Sequence, residues 1–119
     1  MSDNNPEIYF DKEGAVRRLR GRESTVMAML KMFLADDSAE KLRKSLEDND
    51  YSSAEMHAHS IKGLSGNLSL TQLFNISEKL DAELKHGAPN EETVNNFYSV
   101  MEKTIDTVKK TLAEYENSN

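Results

Sequence analysis

The sequence predicts an all-α protein, an antiparallel up-and-down four-helix bundle with a short additional N-terminal helix. Apolar residues in the longer segments recur at offsets of 3 and 4, which places them on one helix face. Capping residues, glycine and proline punctuate these segments, and the connections are short enough to make neighbouring helices antiparallel. A composition of 37% hydrophobic and 30% charged residues suits long helices with narrow apolar stripes. The 119 residues fit one domain around one core. Residues 8–117 are expected to form it, behind a flexible polar tail over 1–7.

In order, Asp11 caps a short helix whose apolar positions are Ala15, Val16 and Leu19, and Gly21 closes it. Ile8, Tyr9 and Phe10 precede the cap and are expected to staple this helix onto the bundle rather than form a docking surface. From Glu23 to about Asn49 no proline or glycine intervenes. Val26, Met29, Leu30 and Phe33 mark one stripe there, and Ala39, Leu42 and Leu46 a second one displaced by nearly half a turn. The change of phase at Asp36-Asp37-Ser38 predicts a bent or interrupted helix. Met27, Met29 and Met32 read as adaptable core fillers. Ser52 with Glu55 reads as a capping box for a helix from near Ser53 past Leu64, burying Ala54, Ala58, Ile61, Ser65 and Leu68. Ser69 is expected to cap the next helix, with Leu73, Ile76, Leu80 and Leu84 inward and Gly87 and Pro89 at its end. Asn90 caps the last helix, where Val94, Phe97, Met101, Ile105, Val108, Leu112 and Tyr115 form one stripe over about six turns.

Several classes are excluded or disfavoured by composition. No cysteine is present, so disulfides and thiolate metal sites are ruled out. Fifteen basic against twenty-one acidic residues give a net charge of -6, which argues against a nucleic-acid surface. There is no bilayer-spanning apolar run and no secretory signal, so a cytoplasmic protein without membrane contact is expected. Each helix spends its apolar stripe on the bundle, which predicts a monomer. His57 falls near the packed side of its helix and His86 near the end of another, and both read as structural. An offset of two puts His57 and His59 on different faces, against a zinc site, and no metal ligands are assigned.

The opposite face of the Ser53 helix carries the chemistry. His59, Lys62, Gly63 and Gly66 share it, so an imidazole and an ammonium lie one turn apart with two bare positions beside them. Glycine inside a helix costs about 1 kcal/mol relative to alanine. Tight packing of a neighbouring helix is one use for such positions; close approach of another molecule to His59 is the other, and the second fits better because the apolar face lies opposite. A neutral imidazole nitrogen can attack phosphorus, and a lysine can balance charge on transferring phosphoryl oxygens.

The run His59-Ser60-Ile61-Lys62-Gly63-Leu64-Ser65-Gly66-Asn67-Leu68 resembles the phosphorylation motif of histidine-containing phosphotransfer (HPt) domains, His-x-x-Lys-Gly-x-Ser/Ala-Gly/Ala-x-apolar-Gly. Ser69 departs from it, standing where the family usually has glycine. The resemblance implies that His59 takes a phosphoryl group from an aspartyl phosphate of a response-regulator receiver domain and passes it to another receiver aspartate. It implies Lys62 as the charge partner, Ser60 or Ser65 as further hydrogen-bond donors, and Asp81, at a position where relatives carry Glu or Gln, as the acceptor that orients the imidazole. Aspartate is the shorter side chain, so water is one way to bridge that contact. The docking rim is expected to include Met56, Gly63, Leu64, Gly66, Asn67 and residues of the two preceding helices. Implied partners are receiver domains and a hybrid sensor histidine kinase; the chain needs no cofactor of its own, and magnesium comes with the partner receiver.

Two other readings share the fold. One is an HPt-like adaptor or inhibitor that docks a receiver or kinase without being phosphorylated; the other is a domain phosphorylated directly by a kinase. An autonomous kinase does not fit, because no glycine-rich nucleotide loop is present. Met1 and a polar start suit a free-standing protein, and a segment cut from a hybrid kinase would read similarly.

Overall fold

The computed structural model describes residues 9–118 and is all-helical among them. Six helices follow one another: α1 (Lys12–Arg18), α2 (Glu23–Ala35), α3 (Ser38–Glu47), α4 (Tyr51–Asn67), α5 (Thr71–Leu84) and α6 (Glu91–Asn117). The proposed tail over 1–7, and Ile8 of the expected staple, lie outside the described residues. The stretch from Glu23 to Asn49 is two helices, not one. The break falls at Asp36, which turns to an extended conformation and accepts a 2.8 Å hydrogen bond from the Ser38 amide.

Helices α4 and α5 pack together, α3 lies on α4, and α6 closes the bundle against α5 and α2. The α4 stripe is buried throughout, at Ala54, Ala58, Ile61, Ser65 and Leu68. Leu73, Leu80 and Leu84 of α5, and Phe97, Met101, Val108 and Leu112 of α6, fill the same core, with Ile76, Val94, Ile105 and Tyr115 at its margin. On α2 and α3, Val26, Met27, Leu30, Phe33 and Leu42 are buried. Met32 is not a core filler as expected: it is 69% exposed, because it falls outside the buried stripe of α2. Phe10 is buried in the core, as a staple ahead of α1 requires.

Three caps differ from the sequence reading. Helix α4 begins at Tyr51, and Asp50, not Ser52, caps it by accepting a 3.2 Å bond from the Ser53 amide. Glu55 is thereby released from the capping role assigned to it. Ser69 does not cap α5; Leu70 stands at that N-cap, and Ser69 adopts a left-handed conformation with φ of 55°. Its hydroxyl accepts from Arg18 Nε at 3.1 Å, and its carbonyl accepts from the Asp11 amide at 2.9 Å, so the α4–α5 turn is pinned to α1. At α6, Asn90 holds the N-cap position but makes no capping bond with its side chain. Glu83 of α5 reaches across instead, accepting from the Asn90 amide and the Thr93 hydroxyl. Asp11 does cap α1, through the Gly14 amide at 3.0 Å.

Candidate functional site: an exposed imidazole between a buried carboxylate and a basic cleft

With Ala58 and Ile61 turned into the core, the intervening His59 must point outward, and its side chain is 66% exposed. Its Nδ1 lies 3.3 Å from Oδ2 of Asp81, a direct contact with no water needed between them. Asp81 belongs to the buried face of α5, one turn past Ser77, and is only 2% exposed. A buried carboxylate must be compensated. Burial pushes Asp81 up, but Glu55, His59 and Lys85 outweigh it and hold the carboxyl below the usual carboxylate range. An ionised acceptor at Nδ1 places the ring proton there, leaving the Nε2 lone pair for the exposed side.

Beyond His59 an open cleft of about 370 Å³ is lined by Arg18, Lys62, Gly63, Ser65, Gly66, Asn67, Ser69, Thr71 and Phe74 as well as His59 itself. Lys62 Nζ lies 3.7 Å from Glu78 Oε2 across α5, a loose ion pair that leaves the ammonium at the cleft. Arg18 enters from α1, brought there by its bond to Ser69; it is a cation of the site that the motif alone did not indicate. A basic residue in the last turn of α1 was the only signal available.

The two glycines differ. A side chain at Gly63 would meet nothing within 4 Å, so this position is open to an approaching molecule. At Gly66 an added Cβ would lie 3.1 Å from the Phe74 ring, so Gly66 accommodates the neighbouring helix. The docking interpretation therefore suits Gly63, whereas Gly66 serves the tight packing that the spacing alone disfavoured. Met56 is 62% exposed and Asn67 lies on the cleft. Leu64 is not at this rim: it is packed against the core and faces a separate groove with Phe33, Ile61 and Met101, because five residues from His59 carry it about 140° around the axis of α4.

Neither serine presents its hydrogen to the cleft. Ser60 donates to the Met56 carbonyl at 3.1 Å and Ser65 to the Ile61 carbonyl at 2.7 Å, each back-bonding to its own helix. Glu55, His59 and Asp81 bring potential ligand atoms within 4.8 Å of one another, a grouping that the motif does not reveal. Tetrahedral zinc, with bonds near 2.0 Å, would need them about 3.3 Å apart. Lys85 Nζ already supplies a positive charge 4.0 Å from Asp81, so a proton suits the trio better than a cation.

The family model of the Hpt domain matches residues 28–116, and the chain belongs to the Hpt domain family. It is similar to the phosphorelay intermediate protein rdeA of Dictyostelium discoideum, 24% identical over 115 residues that cover 95% of this chain and 44% of that protein. The chain thus spans less than half the length of this relative. No solved structure gives a significant match. Among the described residues, no helix is long and apolar enough to cross a membrane.

Proposed function

We propose that this chain is a phosphoryl carrier that accepts a phosphoryl group on His59 from a receiver-domain aspartyl phosphate and delivers it to a second receiver aspartate. The observation that carries this reading is the exposed imidazole backed at Nδ1 by a buried carboxylate, with a lysine and an unobstructed glycine on its open side. The Nε2 lone pair forms a bond to phosphorus while the bond from phosphorus to the aspartyl oxygen breaks, releasing the receiver carboxylate. The ring keeps its Nδ1 hydrogen throughout, and Asp81 balances the positive charge that develops on the phosphorylated imidazole. Lys62 stabilises the equatorial phosphoryl oxygens, and Arg18 strengthens the same field. Delivery to the second receiver is the reverse sequence.

In this reading α2 and α3 together make one arm of an antiparallel up-and-down four-helix bundle, with α4, α5 and α6 as the others and α1 lying across it. The protein acts as a monomer. A receiver domain covers the face bearing His59, Gly63 and Asn67, with Met56 at its margin; a hybrid sensor kinase would present its own receiver in the same way. Magnesium is held by the receiver's carboxylates, and the chain is a carrier rather than an autonomous kinase.

The test is phosphoryl transfer from a panel of phosphorylated receiver domains with magnesium present, to the parent protein and to His59→Gln. Acid-labile, base-stable label on the parent alone is expected. Binding of receivers without any labelling of the parent, by them or by a kinase, would instead identify a docking adaptor.

A further inference from the structure

Behind the imidazole a carboxylate oxygen of Glu55 lies within 4.8 Å of Asp81 and of a His59 ring nitrogen, and nothing in the transfer reaction uses it. Asp81 Oδ2 faces the imidazole, whereas Asp81 Oδ1 is buried and receives no ordinary hydrogen bond. Glu55 is half-buried on α4, one turn before His59, and is free of the helix cap because Asp50 performs that task. Two carboxyl groups this close to each other do not both stay ionised; one keeps a proton and shares it. The charged groups bearing on Glu55 are Asp81 and Lys85 from α5 and His59 from its own helix. His59 Nδ1 at 3.3 Å and Lys85 Nζ at 4.0 Å both lie directly on Asp81 Oδ2 and hold that carboxylate ionised, so the proton belongs on Glu55.

We propose that Glu55 is a positioning residue for His59, holding a proton that it donates as a hydrogen bond to the buried Asp81 carboxylate. Asp81 is then fixed between two donors, the Glu55 hydroxyl and the His59 Nδ1–H, and cannot turn away from the imidazole. The pair also carries one negative charge behind the ring instead of two. A second charge would favour the imidazolium form, which has no lone pair on Nε2 to attack phosphorus. In keeping with a retained proton, the Glu55 carboxyl is raised above the usual glutamate range, chiefly by its hydrogen bond to Asp81.

This inference rests on His59 being the phosphoryl acceptor, but its first readout needs no partner. The full chain, Asp81→Asn, Glu55→Gln and Glu55→Ala are followed by carboxyl 13C and imidazole 15N NMR as pH is varied. Glu55 is expected to titrate above an ordinary glutamate in the parent and to return toward the ordinary range in Asp81→Asn. The His59 signals of the parent are expected to report an Nδ1–H tautomer and to show an inflection at the pH where Glu55 titrates; Glu55→Gln, which donates but does not titrate, removes that inflection. In transfer from a phosphorylated receiver, Glu55→Ala should be slower than Glu55→Gln by about fivefold, the effect of one hydrogen bond. An ordinary Glu55 titration in the parent, an inflection that persists in Glu55→Gln, or equal transfer by the two variants would overturn the proposal. Failure of every receiver to label the parent would remove the relay reading while leaving the titration result intact.

Discussion

The two sides of His59 offer opposite environments. Behind the ring, Asp81 is buried, fixed by the packing of α5 on α4, and anionic. In front, the cations Lys62 and Arg18 and the bare Gly63 border an open cleft. A rigid anion can determine a tautomer because it has no freedom to move, and an open cleft bordered by cations can receive a phosphoryl group because no protein side chain at Gly63 stands in the way. Substitutions behind the ring and in front of it are therefore expected to have separable effects.

The largest separable effect is expected in front. Lys62→Ala should slow phosphoryl transfer by about tenfold or more, the size of a lost charge-assisted hydrogen bond, while leaving the His59 tautomer unchanged in 15N spectra. A shifted tautomer would mean that the two sides are not independent.

A smaller effect, and a different one, should follow behind the ring. Asp81 is held below the ordinary carboxylate range, so its contribution to stability is present above the unfolded value near pH 4 and is lost as pH falls through its lower native value. Glu55 has the opposite sign: raised in the native state, it contributes at acid pH and loses that contribution as pH rises through its native value. Asp81→Asn should therefore remove the acid-side loss attributable to Asp81 in denaturation midpoints measured against pH, while slowing transfer by a few fold. An unchanged acid profile would show that Asp81 is not ionised behind the imidazole.

The glycines sharpen the comparison along the cleft. Gly63→Ala should stabilise the protein by up to about 1 kcal/mol, since helix propensity improves and no atom is in the way, yet weaken receiver binding in calorimetric titrations. Gly66→Ala should gain less, because the Phe74 ring must shift by a few tenths of an ångström to admit the methyl group. Equal gains in thermal midpoint would contradict the distinction between an open and a packed glycine.

The smallest effect concerns the turn that carries Arg18 to the site. Ser69 occupies a left-handed conformation, and Ser69→Gly would relieve about 1 kcal/mol of backbone strain while removing the hydroxyl that accepts from Arg18. A net gain between zero and about 1 kcal/mol is expected in thermal unfolding. A clear loss would mean that the bond to Arg18 is worth more than the strain.

Much of this architecture is legible in the order of the residues. The inward stripes of α4, α5 and α6 follow from offsets of 3 and 4, and the break at Asp36 from a change of phase, because helical geometry translates spacing directly into facing. The same arithmetic puts His59, Lys62 and Gly63 on one outward face. What spacing could not decide was which polar groups meet across helices. Glu55 suited a capping box, yet Asp50 took the cap and freed Glu55 for Asp81, a contact that exists only once α5 is laid against α4. Ser69 had the chemistry of a cap, but the tight turn between those helices required a left-handed residue there, and its hydroxyl then bound Arg18 from α1. Gly63 and Gly66 share a face and part in function only because Phe74 of α5 covers one of them. The sequence by itself determined the helices, their buried faces and the outward placement of His59, since these depend on local periodicity. Only the tertiary structure decided the carboxylate pair behind the imidazole and the arginine in front of it, since those depend on the register at which separate helices pack.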